Sequence, residues 1–440
     1  MDGAAPHLGR GFLGQPADGT TGEPATDGLR LRHFPDPRRQ AARLVGAAST
    51  PAPPERLTPA PRSLVPSGSG RILHVLFVLT GALLVGEPCP AEALLRTAAS
   101  IPRVSIVAHA SCLGRVEALL QHVGRHEGID VIAAPDSAAL WGWAQDRCLV
   151  CRDRVTGAPV ILHGLSAEAQ DAARYAALAQ PDCRPIATDL RLEGGNILAD
   201  GDLCFVGVDL IEDNAAFLER FAAEVESRRT IVPVGGDGLL PRRGPTRFAR
   251  RPGDLRWRQA VDRSLSRPDT RQPVFHLDMF MTLAGRGADG RLRALVGDPL
   301  AASRMIGLPL PEGFPLRAFD EIAAAIEDRG VVVFRNPLPF VYFDDPEARM
   351  REWFYASANN CWVECLEGGR GRVWLPQYGH GAWPELRATD EANAALWRTL
   401  GFEVVEAGDF LPLADQLGAL NCVSKILARE EAAVSAPPRT

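Results

Sequence analysis

Lysine is nearly absent. Of 48 basic residues in a chain of 440, only Lys425 is a lysine. With the abundance of alanine, glycine and proline, this reads as a mark of genomic base composition. A surplus of positive charge is missing too: the formal net charge of -6 gives no general pull toward nucleic acid or acidic membranes. No long hydrophobic run exists. The longest apolar stretch, Ile72 to Val85, is about fourteen residues, too short for a comfortable membrane span. Its length and the flanking Arg71 would suit a signal-peptide core if the true start lay near residue 65. The competing reading, a buried strand and turn opening the domain, is favoured because an α/β rhythm continues at once. A cytoplasmic location is therefore expected, with export as the alternative. Regular cysteine spacing is also lacking: nine cysteines, an odd number, favour a reduced compartment. Cys148 and Cys151 look like half of a zinc site, with Cys361 and Cys365 as a second half. However, 147–151 reads as a strand start, where positions three apart face opposite ways, and no His/Cys knuckle follows. No metal is expected. An apolar content of 46% and a charged content of 23% are ordinary for a globular protein.

Residues 1–70 have no apolar period, and they contain Pro51-Ala52-Pro53-Pro54 and Ser67-Gly68-Ser69-Gly70. Such composition cannot bury enough surface to offset its ordering entropy, so this stretch reads as a disordered extension. Residues 71–432 read as a single domain and 433–440 as a flexible tail. Helices are expected at 91–99, 113–124, 166–179, 212–227, 317–328 and 389–400. Strands are expected at 104–108, 131–134, 159–162, 230–233, 331–334, 373–376 and 402–405, with strands around turns over 185–208 and a hairpin over 276–297. This is an α/β pattern of about five small mixed modules, without a literal sequence repeat. The segment 235–272 carries Arg242, Arg243, Arg247, Arg250, Arg251, Arg256 and Arg258 among Phe248 and Trp257. It reads as a solvated loop or as a lid whose arginines meet a carboxylate or an acidic partner.

The run Gly285 to Gly290 matches G-x-G-x-x-G, but a strand-like Arg291–Val296 follows where a dinucleotide site needs a helix, so it is read as a hairpin turn. Four other segments offer polar groups in apolar surroundings. His276-Leu277-Asp278 opens an apolar stretch, and on a strand both polar side chains would share one face; the alternative is a solvent-facing edge pair. Glu193-Gly194-Gly195-Asn196 sets a carboxylate beside glycines that admit close backbone approach, or is an ordinary bend. Trp143-Ala144-Gln145-Asp146 offers an acid after an aromatic, or a capping Asp. Cys422 follows Asn421, and cysteine is often merely a small buried hydrophobe.

The order of these four segments resembles that of the guanidino-group-modifying enzymes of the pentein fold, nearest the agmatine deiminase, peptidyl-arginine deiminase and arginine deiminase branch. The resemblance covers about residues 72–430 and includes Val373–Tyr378 and the helix start at Asp390-Glu391-Ala392. It implies a five-bladed α/β propeller with pseudo-fivefold symmetry. It also implies catalytic roles for Cys422, His276 and Glu193, and substrate binding by Asp146, Asp278, Trp143 and Asn196. Cys422 would attack a guanidinium carbon, giving a covalent amidino-thioether that water cleaves to a ureido product such as citrulline, plus ammonia. No metal or organic cofactor is implied. Two departures bear on the substrate: Gln145 stands where Arg usually precedes the first acid, and Gly418-Ala419-Leu420-Asn421 replaces a Gly-rich run with His. The alternatives are an amidinotransferase of the same fold, passing the amidino group to an amine, and a non-catalytic binding protein. The expected partner is a small-molecule or peptidyl guanidino substrate; nucleic acid and stable membrane insertion are not expected, and a homo-oligomer is left open.

Overall fold

Short β-branched and aromatic runs become strands, and the amphipathic stretches between several of them become helices. The computed structural model describes residues 60–430 except 87–88, 125–126, 181, 213, 215, 242–245, 249–256, 262–268 and 367–369. The first elements are β1 (Arg62–Leu64), β2 (Ile72–Val78), α1 (Pro90–Thr97), β3 (Arg103–His109), α2 (Leu113–Val123) and β4 (Ile129–Ala134). Next come β5 (Cys148–Asp153), β6 (Pro159–His163), α3 (Ala167–Ala179) and β7 (Arg184–Ala187). A third group is β8 (Ile197–Asp200), β9 (Leu203–Gly207), α4 (Val208–Glu212), α5 (Phe217–Glu224) and β10 (Thr230–Val234). Short strands β11 (Leu240–Pro241), β12 (Thr246–Phe248), β13 (Trp257–Val261) and β14 (Asp269–Thr270) lead to β15 (Met281–Arg286), β16 (Leu292–Asp298), α6 (Pro299–Ile306), α7 (Leu316–Glu327) and β17 (Val332–Pro337). The chain ends through β18 (Phe340–Asp345), β19 (Met350–Tyr355), β20 (Trp362–Cys365), β21 (Gly371–Gln377), α8 (Arg387–Thr399), β22 (Phe402–Asp409), α9 (Leu411–Ala414) and β23 (Ser424–Arg429).

Five sheets share one plan. Their strand orders are β23-β2-β3-β4, β1-β5-β6-β7, β10-β9-β8, β15-β16-β17 and β20-β21-β22. In each, an antiparallel pair is extended by a parallel strand reached through one or two helices, as in β16 to β17 and β21 to β22. These sheets are the five mixed modules read from the sequence. Two further sheets, β11-β14 and β12-β13-β19-β18, are built from the 240–270 region and the hairpin at 340–355. The basic and aromatic side chains of 242–258 lie outside the described residues, as do 1–59 and 431–440.

The apolar run that could have been a signal core is the inner strand β2, hydrogen-bonded to β23 on one side and to β3 on the other. Among the described residues no helix is long and apolar enough to cross a membrane. The G-x-G-x-x-G run turns the β15–β16 hairpin, closed by Gly290 N–H to the Gly287 carbonyl. Cys148 and Cys151 sit in separate hydrophobic clusters, as strand alternation requires. Two expectations fail. The ordered fold begins before residue 71: β1 pairs with β5, and the buried Arg62 donates to the Glu224 carbonyl at 2.9 Å. The Pro/Gly-rich composition around it hid a three-residue strand. The expected helix 212–227 is two helices, α4 and α5, with Ala216 in the left-handed region at φ 53° between them.

The largest core cluster joins β2, β15, β16, β18 and β19 to Trp362, Trp374 and Trp383. Trp362 stacks against Phe77 at 6.0 Å, and its indole N–H donates to Ser424 Oγ at 2.8 Å. Burying one such aromatic contributes about 1.5–3 kcal/mol. That packing anchors the start of β23, two residues beyond Cys422.

Candidate active site

Cys422 lies in the turn that enters β23. Its backbone N–H donates to Asn360 Oδ1 at 3.0 Å, and Asn360 Nδ2 donates to Cys422 Sγ at 3.1 Å. The side chain and its own backbone are thus held by one asparagine. Asn421 donates from Nδ2 to Asp278 Oδ2 at 2.9 Å, and Sγ lies 3.9 Å from the same oxygen. The turn forms where it does because Gly418 packs flat on the Trp143 ring; a Cβ there would enter the ring. The same contact buries Trp143.

His276 is extended, at φ -128° and ψ 147°, but Leu277–Met279 is a single 3₁₀ turn. The expected strand geometry for His276 and Asp278 is therefore incorrect. The turn closes through Phe280 N–H to the Leu277 carbonyl and delivers Asp278 to Cys422 while His276 faces two other acids. His276 Nδ1 lies 3.6 Å from Asp146 Oδ1, and Nε2 lies 3.4 Å from Glu193 Oε2. Gly195 makes this approach feasible: a Cβ there would stand 2.5 Å from His276 Nδ1 and 3.0 Å from Asp278 Oδ1.

Glu193 accepts from Arg191 Nη2 at 2.6 Å and from Asn196 Nδ2 at 3.2 Å. Asn196, expected to bind substrate, is engaged within the protein: its amide also donates to the Phe275 carbonyl at 3.0 Å and accepts from Gln272 Nε2 at 2.9 Å. Through these bonds it supports Glu193. Asp146 is held beside the Cys422 turn because Gln145 N–H donates to the Cys422 carbonyl at 3.1 Å. Cys422, His276, Glu193, Asp146 and Asp278 are thus brought together from positions spread over 146–422. Asn360, Gln272 and Arg191 were not read from the sequence. The signal available for Asn360 was Asn359-Asn360, an amide pair within an apolar segment.

The electrostatics follow from burial and crowding. Burial pulls the His276 pKa down, but Asp146, Glu193 and Asp278 outweigh it and push it up to about 9. Burial raises Glu193, but its hydrogen bond and charge interaction with His276, with Arg191, bring it down to about 2. Burial lifts Asp278 to about 6 against the opposing pull of His276. The Cys422 thiol is pushed well above its usual range by burial, then by Asp278 and Asp146. Near neutral pH this places a cationic His276 among three carboxylates, beside a protonated thiol. One ligand atom each from His276, Asp278 and Cys422 lie within 4.8 Å of one another. That set could take a metal ion; with two more carboxylates around His276 it also suits a small planar cation.

No protein-family model and no curated protein matches the sequence. Solved structures do. An agmatine deiminase of C. jejuni aligns with a TM-score of 0.52 at 12% identity, over 83% of this chain and 95% of that one. An agmatine deiminase of Enterococcus faecalis aligns with a TM-score of 0.54 at 11% identity, over 84% of this chain and 98% of that one. The chain has the fold of these guanidino-group-modifying enzymes.

Proposed function

We propose that this protein is an amidine hydrolase of the deiminase type, acting on the guanidinium of arginine or an arginine derivative. The observation that carries the reading is the convergence of Cys422 with Asp278, and of His276 with Asp146 and Glu193, on a fold shared with agmatine deiminases. In this reading the five sheet units are the blades of a propeller about a pseudo-fivefold axis.

Asp146 and Asp278 bind the guanidinium N–H groups, since carboxylates match that planar fork. The arriving cation offsets the carboxylates that hold the thiol protonated, so Cys422 releases its proton to solvent as substrate binds. The thiolate, accepting from Asn360, attacks the guanidinium carbon and forms a C–S bond. His276, cationic through its acid neighbours, gives its proton to the departing nitrogen; the C–N bond breaks and ammonia leaves. Neutral His276 then takes a proton from water, whose oxygen attacks the amidino-thioether carbon. As the C–S bond breaks, the adduct's hydroxyl gives its proton to solvent, the neutral ureido product leaves and the thiolate is restored with His276 again cationic. Glu193 keeps His276 oriented through Nε2. Each step uses groups of this chain.

The test is a panel of free arginine, agmatine, methylated arginine and an arginyl peptide, assayed for ureido product and ammonia. Ureido product from one member, without an acceptor amine, is the expected result. Amidine transfer to added glycine, with no ureido product in its absence, makes it an amidinotransferase instead.

A further inference from the structure

The chain's one lysine is not on the surface. Lys425 is 5% exposed, on β23, three residues after Cys422. A lysine is the residue type least suited to burial, because desolvating its ammonium costs several kcal/mol unless partners replace the water. Here the partners come from the site. Nζ donates to the Gln145 carbonyl and to Gln145 Oε1, each at 3.3 Å. Its register partner on β2, Leu76, is apolar. The ionisable groups near enough to act on its charge are Asp146 and Asp278, plus the thiols of Cys148 and Cys151 on β5. A cavity of about 80 Å³ adjoins Lys425, Gln145, Asp278 and Asn421. It is large enough for ordered water to complete the ammonium's hydrogen bonds.

We propose that Lys425 is a positioning residue for the guanidinium site: its ammonium pins Gln145, and with it Asp146, while supplying the counter-charge behind the Asp146–Asp278 pair. The inference rests on the deiminase reading for its purpose, though its geometry stands without it. Three carboxylates converge on one His and one Cys. Asp278 already holds its proton up to about pH 6 because it is buried. Burial pulls the Lys425 pKa down and Asp146 and Asp278 pull it up; in its charged form the ammonium opposes further proton uptake by the pair.

The probe is 2-chloroacetamidine, a planar cation that alkylates the nucleophile. Its second-order rate with the full chain is measured from pH 5 to 10 for the wild type, Lys425→Met, Lys425→Gln and Lys425→Arg. The neutral variants should move the acid limb of the profile up by about one pH unit, lowering the rate about tenfold on that limb. Lys425→Arg should restore the rate to within about threefold. A folded neutral variant with the wild-type limb and rate overturns the proposal. So does an Arg variant that folds while both neutral ones do not, since the role is then in stability alone. If the wild type converts no guanidino compound but alkylation responds as expected, the deiminase reading falls and the assignment of Lys425 stands.

Discussion

Two buried charge clusters in this protein are built on opposite terms. Glu226 and Arg229, 1% and 6% exposed, tie β1 to the segment before β10. The Glu226 carboxylate accepts from the backbone N–H groups of Leu64, Arg228 and Arg229, from Ser63 Oγ and from Arg229 Nη1. Arg229 Nη1 donates also to Ser63 Oγ and to the Leu64 carbonyl. At the candidate active site, by contrast, His276 meets its acids at 3.4–3.6 Å, and among the described residues Asp278 Oδ1 and His276 Nδ1 make no hydrogen bond. Both clusters are buried and ionic. In one the carboxylate has a donor for nearly every lone pair, although Arg229 Nε makes no hydrogen bond; the other keeps acceptor capacity in reserve and carries an excess of negative charge. Completeness of hydrogen bonding, more than burial, separates a structural ion pair from a site poised for a ligand.

The contrast can be broken from either side. The largest effect is expected for Cys422→Ala, which should lower turnover by about four to six orders of magnitude. Unfolding free energy should stay within about 1 kcal/mol of the wild type in a urea titration. Arg229→Met should do the reverse. Leaving Glu226 buried without its cation should cost about 3–5 kcal/mol in the same titration, while kcat per folded molecule is unchanged. If Arg229→Met altered kcat instead, the two clusters would not be independent. Asn360→Ala removes the donor to the thiolate and should cut kcat about a hundredfold with little change in KM. The smallest and sharpest effect is on pH. Protonated Asp278 cannot hold a cation, so kcat/KM should fall as pH drops through about 6. Neutral His276 has no proton for the leaving nitrogen, so kcat/KM should fall again as pH rises through about 9. A profile flat from pH 5 to 10 would remove both assignments.

The sequence carried the fold at its long periodic segments and lost it at short ones. The run 72–78 and the helices near 113–124, 166–179 and 317–328 were legible because period and length agreed. The strands at 340–345, 350–355, 362–365 and 424–429 were not: the first three do not alternate cleanly between buried and exposed positions, and the last pairs with β2 from the opposite end of the fold. At the site, residue identity was legible and geometry was not. Asp278 reaches Cys422 through a 3₁₀ turn that a strand-like run concealed. Asn196 turned inward because Gln272, 76 residues away, completes its amide. Lys425 looked like a trace of base composition until its burial was seen.

The central claim is that Cys422 becomes covalently bonded to the guanidinium carbon. The direct test is acid-quenched turnover of the best substrate in the panel, followed by mass analysis of the peptide containing Cys422. The account predicts a mass gain equal to the substrate less ammonia on Cys422, absent in Cys422→Ser. Steady turnover by Cys422→Ser, or the same adduct on another of the nine cysteines, would contradict it.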